Sequence, residues 1–138
     1  MAGQEFPKSE KLCNRYLIAD LFKKGNPYLN AGPVRFSWIG IDQLPVPCQV
    51  LFLVPKRRYK RSHTRNRIKR QLRELYRLNK SLLVTELESQ NKHLVLMISY
   101  SGPENLNFAE TKQHFLHNLN RLVERIQKSN QPTLSADH

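Results

Sequence analysis

An α+β fold, a two-layer α/β sandwich on a small mixed sheet, is predicted for this 138-residue chain by three observations. Apolar residues recur at helical spacing in some segments and at strand spacing in others. The segments come in the order helix, strands, helix, strand, helix. The segment 49–54 (QVLFLV) is apolar on both faces, as expected for a central strand covered on each side, and 94–100 (LVLMISY) reads as another buried strand. No linker or internal repeat interrupts them, so residues 1–138 read as one domain with flexible ends at 1–10 and 129–138. That length supports a core without help from a metal or disulfide.

The first element is an amphipathic helix over 14–24, with Leu17, Ile18, Leu21 and Phe22 on one side. Gly25 stops it, and Lys23 and Lys24 suit its negative end. Residues 26–32 (NPYLNAG) form turns, with Tyr28 and Leu29 able to add a short strand. A strand over 33–41 places Val34, Phe36 and Trp38 on one face and Arg35, Ser37 and Ile39 on the other. The strand 49–54 ends at Pro55. A long helix follows from Ser62 to Leu87, with Ser62 or Thr64 as cap and a core stripe of Ile68, Leu72, Leu75, Leu82 and Leu83. The last helix, 108–128, repeats Phe115, Leu119, Leu122 and Ile126 at helical spacing.

Charge is the strongest functional signal. The segment from Pro55 to Lys80 holds twelve Lys and Arg against one acid, Glu74, which is +11 of a net +12. Such concentration marks a binding surface for a polyanion. Asn66, Lys69, Arg70, Arg73, Arg77 and Lys80 fall together opposite the apolar stripe, with Arg65 and Arg67 flanking them. Upstream, Lys56, Arg57, Arg58, Lys60 and Arg61 form a second cluster broken only by Tyr59. Guanidinium forks match phosphate oxygens, and an adjacent Asn can bond a ribose hydroxyl or a base edge. A merely solvated helix face would mix signs more evenly.

Little else carries chemistry. The five histidines are scattered, with His114 and His117 alone sharing a helix face, so zinc ligation is disfavoured. His63 suits a capping or phosphate-proximal role better than that of a general base. There is no Gly-rich phosphate loop, and carboxylates are too sparse for a protein-held two-metal site. Cys13 and Cys48 lack C-x-x-C spacing and read as reduced structural thiols. No segment is apolar enough to cross a bilayer, so the expected location is cytoplasmic. Phe22, Phe36, Trp38 and Tyr59 are candidates for stacking on unpaired bases, although strand parity favours the core for Phe36 and Trp38.

The run RNRIKRQLRE, from Arg65 to Glu74, directly after a buried strand and a basic turn, resembles the signature of the protein subunit of bacterial ribonuclease P. The resemblance extends from about Leu12 to Arg125, through LFKKG, QVLFLVPKRR, LVLMISY and the FAET-x-K start of the last helix. It implies a left-handed βαβ crossover, as in the second domain of a ribosomal protein. It also implies an accessory subunit of a ribonucleoprotein endonuclease (a hydrolase) whose catalytic centre and Mg²⁺ lie in the RNA subunit; the protein alone needs no cofactor. By position, Arg57, Arg58, Lys60, Arg61, Arg65, Asn66, Arg67, Lys69, Arg70 and Arg73 would meet that RNA. Ile18, Phe22, Phe36 and Lys56 would line the cleft for the 5′ leader of precursor tRNA. Two departures from the family pattern stand out: Lys60-Arg61-Ser62-His63 replaces a Gly-Asn-Ala-Val type run, and Ile18 replaces a frequent Phe. The partners implied are the ribonuclease P RNA and precursor tRNA, with no DNA and no membrane. The alternative is a general, ribosomal-type RNA-binding protein with no part in cleavage. A basic-zipper DNA reader is excluded because the apolar seam 68, 75, 82 ends at Ser89.

Overall fold

The computed structural model describes residues 6–128. Helix α1 (Arg15–Leu21) is followed by strands β1 (Tyr28–Ala31), β2 (Val34–Ile41) and β3 (Cys48–Leu53). Helices α2 (Ser62–Asn79) and α3 (Ser81–Ser89), strand β4 (His93–Tyr100) and helix α4 (Phe108–Lys128) complete the chain. The sheet order is β1-β2-β4-β3, with β3 and β4 parallel and the other pairs antiparallel. The parallel pair requires a crossover, and α2 with α3 supply it.

Strand parity decides what each sheet face meets. Val34, Phe36 and Trp38 of β2 join Val50 and Phe52 of β3 and Leu96 and Ile98 of β4 on one face, beneath α2, α3 and α4. There they pack against Ile68, Leu72, Leu75, Tyr76, Phe115, Leu119 and Leu122. Each fully buried side chain of this kind contributes about 1.5–3 kcal/mol. The other face holds a smaller cluster in which Leu12, Leu17, Ile18 and Leu21 cover Val95, Met97 and Ile39. Helix α1 begins where the Asn14 carboxamide oxygen accepts the Tyr16 and Leu17 N–H groups at 2.9 and 3.2 Å. It is only seven residues long, so it covers part of that face and leaves the rest open.

The long helix expected over 62–87 breaks at Lys80. Next to the break the Asn79 carboxamide donates to the Leu75 carbonyl at 2.8 Å. Past the break Leu83 and Leu87 turn inward and Leu82 turns out, 52% exposed, contrary to the predicted stripe. Neither Ser62 nor Thr64 caps α2: Arg61 occupies the cap position without a side-chain bond, and Thr64 is buried. Part of the segment expected as a flexible leader, residues 6–10, is placed against the fold. Residues 1–5 and 129–138 lie outside the described residues, but Phe6 packs edge-on against Phe52 and Tyr76. Lys8–Glu10 form a 3₁₀ turn whose Glu10 pairs with Lys80.

Both cysteines are free, Cys13 exposed and Cys48 buried. Burial pushes the Cys48 thiol up to about 12, so the thiolate is absent near neutrality. A thiol reagent at pH 8 should therefore modify Cys13 alone in the folded protein and both residues in denaturant. Rapid double labelling without denaturant would contradict this packing.

Candidate nucleic-acid interface

Two surfaces meet at one end of the sheet. The first is the basic turn and outer face of α2. Pro55 accepts the N–H groups of Arg58 and Tyr59, curling the chain so that Lys56, Arg57, Arg58, Lys60 and Arg61 all stand exposed. Tyr59 does the opposite. It is buried, its ring lies 6.0 Å from that of Tyr100, and its hydroxyl donates to the Gly102 carbonyl. It is thus an anchor and unavailable for stacking on a base. On α2, Asn66, Arg67, Arg70 and Arg73 are exposed, while Arg65 and Lys69 are half-buried.

Two of the signature arginines are engaged within the protein. Arg65 donates from Nη1 to the carbonyls of Tyr59 and Lys60 at 2.7 and 3.0 Å, fastening the basic turn to α2. Arg67 donates from Nη2 to the Glu104 carbonyl at 2.8 Å, fastening the loop after β4 to the same helix. The one acid of the segment, Glu74, accepts two bonds from Arg77 at 2.6 and 2.9 Å, which hold its carboxyl below the usual range. Lys80, expected on the basic face, is instead 4% exposed and bound to Glu10.

The second surface is a cleft of about 630 Å³ between the end of α1 and the open part of the sheet. Register explains its floor. Leu53, Ser99, Arg35 and Asn30 form one row across the four strands, and Leu51, Met97, Ser37 and Tyr28 the next. The third row, Gln49, Val95 and Ile39, lies toward the cluster covered by α1. Phe22, Lys23, Lys24, Gly25 and Asn26 make the wall; Gly25 adopts φ +94°, which lets the chain turn from α1 into the sheet. Phe22 is 57% exposed and Tyr28 49% exposed, large values for rings beside a cavity. Residue Lys56 follows three positions after Leu53, about 10 Å along an extended chain, so the cleft opens toward the basic turn.

Of the four residues assigned to this cleft from sequence, Phe22 lines it. Ile18 is half-buried in the cluster under α1, and Lys56 stands exposed beyond the floor. Phe36 is a correction. It is fully buried on the opposite face, edge-on to Phe115 at 5.2 Å, and no base could reach it without opening the core. Its neighbour Arg35 and the cross-strand Tyr28 were missed, although the alternation that places Phe36 inward also places Arg35 outward.

Among the described residues no three His, Cys, Asp or Glu side chains converge as metal ligands. The guanidinium and ammonium groups of both surfaces suit phosphates, and their amide and aromatic groups suit bases.

Known proteins resemble this chain in sequence and in fold. The family model described as Ribonuclease P matches residues 6–126. A ribonuclease P protein component of Porphyromonas gingivalis is 29% identical over 123 residues, covering 88% of this chain and 89% of the relative. One from Chlorobaculum tepidum is 36% identical over 85 residues, covering 59% of this chain and 54% of the relative. The fold also matches the Staphylococcus aureus RNase P protein, with TM-score 0.66, 15% identity, and 83% and 96% of the two chains covered. The Thermotoga maritima RNase P protein gives 0.62 at 19% identity, covering 81% and 96%. With a mixed four-stranded sheet of the same design and a family match over nearly its whole described length, the chain belongs to the ribonuclease P protein family.

Proposed function

We propose that this protein binds the catalytic RNA of ribonuclease P through its basic turn and α2, and holds the single-stranded 5′ leader of precursor tRNA in the cleft. The supporting observation is the meeting of the two surfaces: the sheet row that floors the cleft ends at Leu53, and the basic segment starts at Lys56. One polyanion can follow that path from stacking surface to phosphate-binding surface without crossing an acidic region. The protein's part is to offset repulsion between the two RNAs and to fix the leader; the hydrolytic centre and its Mg²⁺ belong to the RNA. The donor chemistry of the chain fits this division, since it offers phosphate ligands and no carboxylate cluster among the described residues. No helix among the described residues is long and apolar enough to cross a membrane.

The test is single-turnover cleavage of a precursor tRNA by a bacterial ribonuclease P RNA at low Mg²⁺, with and without this protein. Strong stimulation that shrinks as the leader is shortened is the expected result. Tight RNA binding with no stimulation would instead identify a general RNA-binding protein. In the same system Arg70→Ala and Arg73→Ala should each weaken RNA-subunit binding and lower the salt slope by about 0.7–0.9 for each phosphate no longer neutralised. These two are cleaner probes than Arg65 or Arg67, whose guanidinium groups also hold the fold together.

A further inference from the structure

The cleft contains one cation that is already positioned before any ligand arrives. Arg35 projects from β2 with its guanidinium carbon 4.1 Å from the centroid of the Tyr28 ring. The register makes this a diagonal cross-strand pair, since Arg35 faces Asn30 and Tyr28 faces Ser37. Both side chains are exposed and both line the cleft. Among the described residues no carboxylate pairs with Arg35, whereas Lys23 on the opposite wall is tied to Asp20 at 2.9 Å. An exposed arginine without an acidic partner ordinarily samples many rotamers. Here the Tyr28 ring holds the guanidinium by cation–π attraction, and among the described residues no hydrogen bond or ion pair occupies its N–H groups. A flat fork, fixed in place and unpaired beside exposed aromatic rings, fits a backbone phosphate of a single strand whose bases stack close by.

We infer that Arg35 and Tyr28 form a phosphate subsite for one nucleotide of the single-stranded RNA held in the cleft, with Arg35 as the contacting group and Tyr28 as the positioning residue. The inference rests on the leader reading above and adds to it the residues that grip the backbone. Because the contact is to phosphate, it is indifferent to leader sequence.

The experiment compares the affinity of the reconstituted holoenzyme for a precursor tRNA with a long leader and for its leaderless counterpart, across a salt titration. Arg35→Ala is expected to remove roughly tenfold of the leader-dependent affinity, in the range of a charged hydrogen bond. It should also lower the salt slope by about 0.7, the value for one single-strand phosphate. Tyr28→Phe keeps the ring and should behave as wild type. Tyr28→Ala should weaken leader binding several-fold, and adding it to Arg35→Ala should cost almost nothing further. Losses that simply add would overturn the positioning role. A wild-type leader contribution left untouched by Arg35→Ala would overturn the subsite while sparing the leader reading. No leader contribution in the wild type would overturn both. Circular dichroism of each variant checks the fold, which these exposed side chains should not disturb.

Discussion

Tyr59→Ala is expected to lower unfolding stability by about 3–5 kcal/mol, the usual cost of truncating a buried aromatic ring. The residue stands in the middle of a charged run, between Arg58 and Lys60, yet it is 1% exposed. Its ring packs on Tyr100, its hydroxyl holds the Gly102 carbonyl, and its own carbonyl accepts from Arg65. The Tyr100 hydroxyl in turn donates to the Pro103 carbonyl at 2.8 Å. The chain runs so close at this point that a Cβ on Gly102 would lie 2.6 Å from the Tyr100 hydroxyl and 2.7 Å from Pro33. Three segments are thereby locked: the basic turn, the loop after β4, and the hairpin between β1 and β2.

A gentler variant separates packing from positioning. Tyr59→Phe keeps the ring and leaves the Gly102 carbonyl without its donor, a loss of about 1–3 kcal/mol. The protein should still fold, with faster amide hydrogen exchange over 56–61 and weaker RNA binding at unchanged net charge. Denaturant midpoints and exchange rates equal to those of wild type would show that the lock is not needed to hold the turn. Burial also raises the Tyr59 phenol above its ordinary value, so the hydroxyl stays a donor throughout the neutral range.

How far the sequence reveals all this depends on the range of each interaction. Periodicity found the core stripe of α4 and separated the two faces of β2, because helical spacing and alternation are local consequences of backbone geometry. The apolar runs named no face for β3 or β4, and β3, expected as a central strand, lies at the sheet edge. Charge density found the basic surface, because twelve cations in one segment outweigh anything the fold could rearrange. The inward bonds of Arg65 and Arg67 were not legible, because their acceptors are backbone carbonyls, which no residue type announces. The cleft was legible only in part. Phe22 could be assigned from its helix, but Phe36 could not be placed correctly until the layer packed on each sheet face was known. Parity separates the two faces of a strand and does not say which one remains open. Here α1 covers too little of its face to close it, and so Arg35 and Tyr28 line the cavity.

The Lys80–Glu10 pair gives the second large expected effect. Lys80 sits at the break between α2 and α3 with its ammonium 2.7 and 2.9 Å from the two Glu10 carboxylate oxygens, and its side chain is 4% exposed. Sequence spacing assigned it to the basic face because its partner lies seventy residues away. Around it, Leu12 N–H donates to the Val50 carbonyl, Gln49 reaches the Ser9 carbonyl, and Phe6 closes over Phe52. The N-terminal segment thus lies along β3, an edge strand that would otherwise present unpaired backbone groups. Glu10→Gln takes the carboxylate charge away from the buried ammonium and should cost about 3–5 kcal/mol. Lys80→Met with Glu10→Leu removes both charges and keeps volume, and should fall near wild type or above it, since a buried pair repays its desolvation poorly. If the ion pair is what fastens the segment, Glu10→Gln should also expose residues 6–12 to limited proteolysis while the double variant stays protected. Equal protection of both would assign the fastening to Phe6 and the backbone bonds instead. Catalytic stimulation by the double variant should match wild type, because Lys80 is turned away from the proposed RNA-binding surface.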